Sequence, residues 1–178
     1  MSEPQKTHLQ LERLILPLAE SLGLELWGIE ILGSGRPIVR VYVEGSEGHT
    51  DIEQCAELSR LAGLALDVED IMPGAYSLEI SSPGLERPFF SLNQLRGYAG
   101  QTIRLTLHSP EESWPGRKKF QGILTATSET GLTLLPEDQP ANENLPLTTL
   151  WTNVQQAKLV HDFTRGKGQK RPSAKARS

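Results

Sequence analysis

The spacing of the apolar residues changes within the first 45 positions, and this change constrains the fold more than any other feature of the chain. Leucine and isoleucine recur at helical spacing over residues 5–22, which predicts an amphipathic helix that Pro17 should kink or divide. Apolar and polar residues then alternate over 24–32 and again over 37–44. This period of two, interrupted by a glycine-rich turn, predicts a β-hairpin.

A second helix and a third strand follow the hairpin. Thr50 and Glu53 have the spacing of a capping box, so we expect a helix to begin there and to run to about Asp67. Residues 76–81 alternate again and predict a strand. The order helix–strand–strand–helix–strand predicts a three-stranded sheet with both helices on one face.

The second half of the chain has short strand signals instead of helices. Five stretches rich in β-branched or apolar residues alternate with polar, proline-rich connections, at 101–108, 120–127, 131–135, 147–151 and 157–160. Such a series favours a small β-barrel, because closure leaves few sheet edges exposed. We therefore predict an α+β protein with an N-terminal α/β domain of order αββαβ at residues 1–90, a small β-barrel at 91–163 and a tail at 164–178.

Charge is distributed unevenly along these three segments. Residues 1–90 hold 15 acids against 6 lysines and arginines, whereas residues 91–163 hold 7 against 6. An acidic first domain repels phosphate and attracts basic partners. The tail carries six cations and no acid, and its lack of apolar periodicity predicts disorder. It is either a contact for a polyanion or a solubilising extension, and the candidate contacts are Arg165, Lys167, Lys170 and Arg171.

The sequence contains no motif typical of catalysis or metal binding. We find no phosphate-binding glycine loop and no serine nucleophile elbow, and the four histidines are scattered. Cys55 lies on the apolar face of the second predicted helix, where a buried side chain is favoured over a reactive thiolate. A single cysteine, no secretory signal and no long apolar run predict a soluble intracellular protein without membrane contact. The absence of the catalytic and metal-binding motifs above predicts that it is not an enzyme and has no metal, cofactor or small-molecule substrate.

Two segments are candidates for partner contacts. The first follows the third strand and combines hydroxyls, prolines, a glycine and an arginine, at Ser82, Pro83, Gly84, Arg87 and Pro88. We expect it to be an interdomain elbow that orients the two domains, with particle contact as a second role. The second is the basic triplet Arg117, Lys118 and Lys119, which either meets RNA phosphate or forms a solvated hairpin end.

One long string of residues identifies a family. The run L-D-V-E-D at 66–70, followed by Y-S-L-E-I-S-S-P-G-L-E-R-P at 76–88, resembles the RimP family of bacterial ribosome maturation factors. The resemblance continues through 36–43 and 55–60, and more thinly through 117–124. Glu86 stands where aspartate is commoner in that family, and the loops at 109–115 and 136–146 and the basic tail depart from its core.

The resemblance implies a cytoplasmic, non-enzymatic factor needed for maturation of the small (30S) ribosomal subunit. Such a factor binds the free or immature subunit, and its SH3-like barrel binds a small-subunit ribosomal protein near the decoding centre. No cofactor is implied. Together with the charge distribution, the resemblance leads us to expect main contacts to a basic protein, with rRNA contacts added by the basic triplet and the tail.

Two other functions are weighed against this one. A general RNA-binding module without a ribosomal role would need a contiguous basic or aromatic platform. The predicted first sheet instead supplies mainly Glu25, Glu30, Glu44 and Glu79 beside Arg36 and Arg40. An enzyme with an unrecognised site would need titratable residues that converge in one pocket, and the sequence indicates none.

Overall fold

The computed structural model describes residues 3–33, 35–45, 48, 50–139 and 144–161, and it confirms the predicted α+β class. The chain divides into two compact units, Met1–Pro83 and Gly84–Ser178. The division lies earlier than the boundary expected at residue 90, because Pro88 and Phe89 form a strand of the second unit.

The first unit has the predicted order of helices and strands. Its elements are α1 (Glu3–Ser21), β1 (Leu24–Leu32), β2 (Ile38–Gly45), α2 (Ile52–Glu69) and β3 (Ser77–Ser81). β2 is the central strand; it pairs antiparallel with β1 and parallel with β3. The parallel pairing follows from the connection, because α2 carries the chain back to the end at which β2 began.

Both helices contribute to one apolar core against the central strand. Leu11, Ile15 and Ala19 of α1 are fully buried, and Leu58 and Ala62 of α2 join them in the same cluster. The facing side of β2 provides three buried valines: Val39, Val41 and Val43. The sheet therefore has one face packed against both helices and one face without them, as the alternation predicts.

Of the two outcomes expected at Pro17, a kink in the first helix or its division, division is wrong. α1 continues through Pro17 to Ser21, and the proline lies on the exposed side of the helix. Proline removes one backbone hydrogen bond. On the exposed side water can solvate the carbonyl that loses its donor, while the buried residues Ile15 and Ala19 hold the two halves of the helix against the core.

The predicted cap of the second helix is wrong by one residue. Asp51 is the N-cap of α2, its carboxylate accepts from the backbone N–H of Glu53 at 3.0 Å, and the capping box is completed by Gln54. Thr50 instead donates its hydroxyl to the carbonyl of Val43 at 3.1 Å. Threonine and aspartate can both cap a helix. Because the Thr50 hydroxyl is bonded to Val43 of β2, Asp51 takes the capping position and the helix begins one residue later than predicted.

We expect Asp51→Ala to lower the free energy of unfolding of the first unit by about 1 kcal/mol, because it removes the side-chain acceptor for the first turn of α2. Glu53→Ala is the matched control and should change it by less than about 0.5 kcal/mol, since Glu53 contributes its backbone N–H to the cap. Urea unfolding followed by the helical far-UV circular dichroism signal measures both. A larger loss for the control would contradict this cap.

The second unit is a barrel-like antiparallel sheet. Its elements are β4 (Pro88–Phe89), α3 (Leu92–Leu95), a 3₁₀ turn (Arg96–Tyr98), β5 (Thr102–Leu107), β6 (Lys119–Thr127), β7 (Gly131–Pro136), β8 (Leu147–Leu150), a second 3₁₀ turn (Trp151–Asn153) and β9 (Val154–Leu159). The strand order is β4-β9-β5-β6-β7-β8. The five longer strands correspond to the five predicted stretches, and the two-residue strand β4 was not predicted. The inner face of the six-stranded sheet is apolar and includes the buried residues Leu105, Phe120, Leu124 and Leu134.

Candidate partner-binding surfaces

The predicted elbow spans the division between the two units. Ser82 is exposed, and Pro83 is the last residue of the first unit. Gly84 opens the second unit with a φ of 66°, a left-handed conformation that L side chains adopt only with strain. Gly84 therefore has the positive φ that a glycine permits at this point of the chain. That the segment orients the two domains stays a proposal.

Arg87 and Pro88 are built into the second unit. The Arg87 side chain is only 9% exposed, and its guanidinium donates to the hydroxyl of Tyr98 at 3.2 Å. Its backbone carbonyl accepts from Leu159 at 2.9 Å, and Pro88 pairs with Lys158 in the sheet. These contacts favour a structural role for Arg87, because a buried arginine that is already hydrogen-bonded is poorly placed to meet a partner.

Arg117 lies in a cradle of two rings and a carboxylate. Its guanidinium carbon is 4.5 Å from the ring centre of Phe120 and 5.2 Å from that of Trp114. One nitrogen donates to both carboxylate oxygens of Asp138 at 2.7 Å, and another donates to the carbonyl of Lys119 at 2.9 Å. Hydrogen bonding from Arg117 lowers the pKa of Asp138. The geometry favours a structural role for Arg117 over a phosphate contact.

The other two cations of the basic triplet have different surroundings. Lys118 donates its ammonium to the backbone carbonyl of His108 at 2.8 Å. Lys119 is exposed at the start of β6. The three consecutive cations therefore do not present one common surface.

Strand pairing assembles a different basic surface around Lys119. Arg104 of β5 is paired with Lys158 of β9, and Lys119 of β6 is paired with Thr106, two residues along β5 from Arg104. Paired residues and residues two apart share a face of a sheet. Lys119, Arg104 and Lys158 therefore lie on the outer face of β9-β5-β6, which we call the basic sheet face. The sequence points to Arg104 and Lys119 singly as barrel contacts but cannot group them with Lys158, because the three residues come from strands that are far apart along the chain.

The first unit presents an acidic surface on the sheet face without helices. Arg40 of β2 pairs in register with Glu30 of β1 and with Glu79 of β3, and its Nε donates to the Glu79 carboxylate at 2.8 Å. The hydroxyl of Tyr42 donates to the Glu30 carboxylate at 2.9 Å. Burial raises the pKa of Tyr42, and the hydrogen bond to Glu30 raises it further.

The acidic surface continues towards one end of the sheet. Glu25 of β1 lies directly opposite Glu44 of β2, on the same face as Arg40. Like charges directly opposite one another in an antiparallel pair destabilise the sheet. We call these four glutamates with Arg40 and Tyr42 the acidic sheet face; it carries four carboxylates against one guanidinium, so cationic side chains of a partner would stabilise it.

Among the residues that the structure describes, no group of three or more histidine, cysteine, aspartate or glutamate side chains could hold a metal ion. The described helices include none that is long and apolar enough to cross a membrane. Cys55 is partly buried, and burial, with the Asp51 charge, raises the pKa of its thiol, which disfavours a reactive thiolate. The four tail cations proposed as contacts lie outside the described residues.

Fold and surfaces together define a class: a two-unit protein with an acidic α/β module followed by a barrel-like domain that has a basic sheet face. The model of the RimP N-terminal domain matches residues 14–86. A ribosome maturation factor RimP of Nitratidesulfovibrio vulgaris strain DP4 is 53% identical over 149 residues, covering 83% of this chain and 86% of that protein. The relative of the same name from Lawsonia intracellularis is 39% identical over 169 residues, covering 85% of each. The chain belongs to the RimP family of ribosome maturation factors, which confirms the resemblance seen in the sequence.

Proposed function

We propose that this protein is a non-enzymatic assembly factor that acts in the cytoplasm on the small (30S) ribosomal subunit or its precursor. In this proposal it binds a basic small-subunit ribosomal protein near the decoding centre and has no cofactor. Membership of a family named for ribosome maturation supports the assembly role.

The acidic first unit is the observation that carries the protein-partner part of the proposal. Residues 1–90 hold 15 acids against 6 lysines and arginines, and four of those carboxylates lie on the acidic sheet face. RNA phosphate approaching this surface meets repulsion. A ribosomal protein rich in lysine and arginine is attracted to it, and such complementarity raises the association rate and selects among partners.

The basic sheet face supplies a second, weaker contact to rRNA. Lys119, Arg104 and Lys158 share the outer face of three neighbouring strands. Phosphate contacts of this kind release counterions, so they make binding depend on salt. In this proposal the tail cations add to the same salt-dependent contribution.

Co-sedimentation tests the assembly role. The full chain is mixed with small subunits, large subunits and whole ribosomes and resolved on sucrose gradients at two salt concentrations. We expect co-migration with small subunits alone. Equal migration with all particles, or stronger binding to naked RNA than to small subunits, would contradict the proposal and favour a general RNA-binding module.

The rRNA contact is tested by charge reversal on the basic sheet face. We expect Arg104→Glu with Lys119→Glu to lower affinity for small subunits about tenfold at low salt, and to reduce the slope of log affinity against log salt by about 2. Lys6→Glu with Arg13→Glu is the matched control, because it makes the same change of net charge on exposed positions of α1. Equal losses for the two double variants would show that only net charge matters.

A further inference from the structure

One edge of the barrel's sheet is formed by β8. Within the described residues β8 pairs with β7 alone, and the strand order ends there. In an antiparallel pair the hydrogen-bonded positions alternate along each strand. Trp151 donates its N–H to the carbonyl of Thr130, which marks that pair as hydrogen-bonded. Gly131, opposite Leu150, instead exchanges its hydrogen bonds with Ser128, through the Ser128 hydroxyl and backbone N–H.

The alternation then fixes which backbone groups face away from β7. Counting back from Trp151, Thr149 and Leu147 bond to β7, whereas Thr148 directs its N–H and C=O outward and Leu150 directs its N–H outward. The Leu150 carbonyl accepts the first hydrogen bond of the 3₁₀ turn Trp151–Asn153, since Leu150 is the N-cap of that turn, and it lies 3.5 Å from the Thr149 hydroxyl oxygen. The side chains of Thr148 and Leu150 are exposed, and Leu150 is 56% exposed although it is apolar. The opposite edge of the same sheet, β4, has only two residues and one of them is proline, so it offers little to a further strand.

A groove of about 430 Å³ adjoins the β8 edge. This volume lies within the range of about 300–1,000 Å³ that is common for ligand clefts. The groove is lined by apolar and hydroxyl side chains of β6, β7 and β8, and Glu111 is the one charged residue among them. A segment lying here would meet apolar surface and a single negative charge.

Glu111 is held in a defined orientation. The hydroxyl of Thr149, which is only 4% exposed, donates to its Oε1, and Nδ2 of Asn153 donates to the same oxygen at 2.8 Å. Asn153 is fixed in turn by bonds to the backbone of Ser109, at 3.0 Å in both directions. Both donors bind Oε1, so the second carboxylate oxygen, Oε2, takes no part in these bonds.

We propose that the β8 edge and this groove bind an extended, basic segment of the protein partner, which adds a strand to the barrel's sheet. The N–H and C=O of Thr148 and the N–H of Leu150 pair with the segment, the groove takes an apolar side chain, and Glu111 pairs with a lysine or arginine. Main-chain pairing supplies affinity in such complexes and the pockets supply specificity. The inference rests on the proposed function, because it names a second surface, besides the acidic sheet face, that the basic ribosomal protein meets.

Binding by the full-length chain to individually purified small-subunit ribosomal proteins tests the site. We expect Leu150→Ser and Thr148→Pro each to weaken binding of the partner about tenfold, and Glu111→Gln to weaken it less. Proline at 148 removes an outward N–H and leaves the bonds to β7 in place, so the barrel should still fold. Leu64→Ser is the matched control, since Leu64 is an apolar side chain 58% exposed on α2, and it should change affinity less than about twofold.

Hydrogen exchange gives a second readout, in which the amides of Thr148 and Leu150 become protected when the partner binds. Unchanged affinity in Leu150→Ser and Thr148→Pro, with the wild type still binding, would overturn this site and leave the proposed function standing. A wild type that binds no small-subunit protein would overturn both. A third outcome is that the two amides are already protected in the free chain and lose this protection when residues 164–178 are removed. The chain's own tail would then occupy the edge, and the proposal that a partner segment binds there would be overturned.

Discussion

Gly122→Ala is expected to destabilise the second unit by about 3 kcal/mol or more, enough to unfold a marginal domain. A Cβ at this position would lie 2.1 Å from the carbonyl oxygen of Leu135 and 2.7 Å from the Cα of Pro136. Both are backbone atoms of the neighbouring strand, so no side-chain rotation relieves the clash. β6 lies between β5 and β7, and moving it away from β7 would disturb the pairing of Gly122 with Ile103 on the other side.

Thermal and urea unfolding measure this effect. Tryptophan fluorescence reports both units, because Trp27 lies in β1 of the first unit and Trp114 and Trp151 lie in the second. Gly63→Ala is the control, because Gly63 lies in α2 and an added Cβ there meets no atom within 4 Å. It should stabilise the helix by about 0.5–1 kcal/mol, since alanine is the better helix former. The same substitution therefore has opposite signs at the two positions. A Gly122→Ala protein as stable as the wild type would show that the strands are not held this closely.

The requirement for glycine at 122 could not be predicted from the sequence. A glycine within a strand pattern indicates a bulge or a close approach, but it does not say what approaches. The answer depends on the register of β6 against β7, which shifts between Leu124 and Ala126. Local patterns predicted the helices and the longer strands because each has its own period. They missed β4, because two residues form no period, and they placed the α2 cap at Thr50 because the contact with Val43 is not local.

The candidate surfaces show the same limit. Arg117, Lys118 and Lys119 are consecutive in sequence and suggested one basic patch. Arg117 is held by two aromatic rings and by Asp138, and Lys118 is bonded to the backbone carbonyl of His108, ten residues earlier in the chain. Only the strand register shows that Lys119 shares a face with Arg104. The acidity of the first unit, in contrast, was predictable, because it depends on composition. The shared face of its glutamates was not, because simple alternation puts Glu25 and Glu30 on opposite faces of β1, and the bulge between Leu26 and Gly28 brings them onto the same one.

Phe120→Ala is expected to destabilise the second unit by about 3–5 kcal/mol. Phe120 is 2% exposed on β6, and its ring meets that of Trp114 edge-on at 5.5 Å between centroids. Removing the ring leaves a cavity in the barrel and takes away one of the two aromatic surfaces that hold Arg117. Urea unfolding monitored by tryptophan fluorescence measures the loss, and the emission of Trp114 should also report the altered contact in the folded state.

Two further variants separate the cavity from the loss of the arginine contact. Phe120→Leu keeps much of the buried volume and should cost less than half as much as Phe120→Ala. Arg117→Lys keeps the ring and should cost less than about 1 kcal/mol, since the Asp138 carboxylate of the pair is exposed. Because Arg117 lowers the pKa of Asp138 below its ordinary 3.8, the pair stabilises the fold above that pH and the contribution is lost as pH falls through the lowered value. Arg117→Lys should therefore differ from wild type least in acid. A Phe120→Ala loss no greater than that of Arg117→Lys would mean that the ring serves the arginine and not the core.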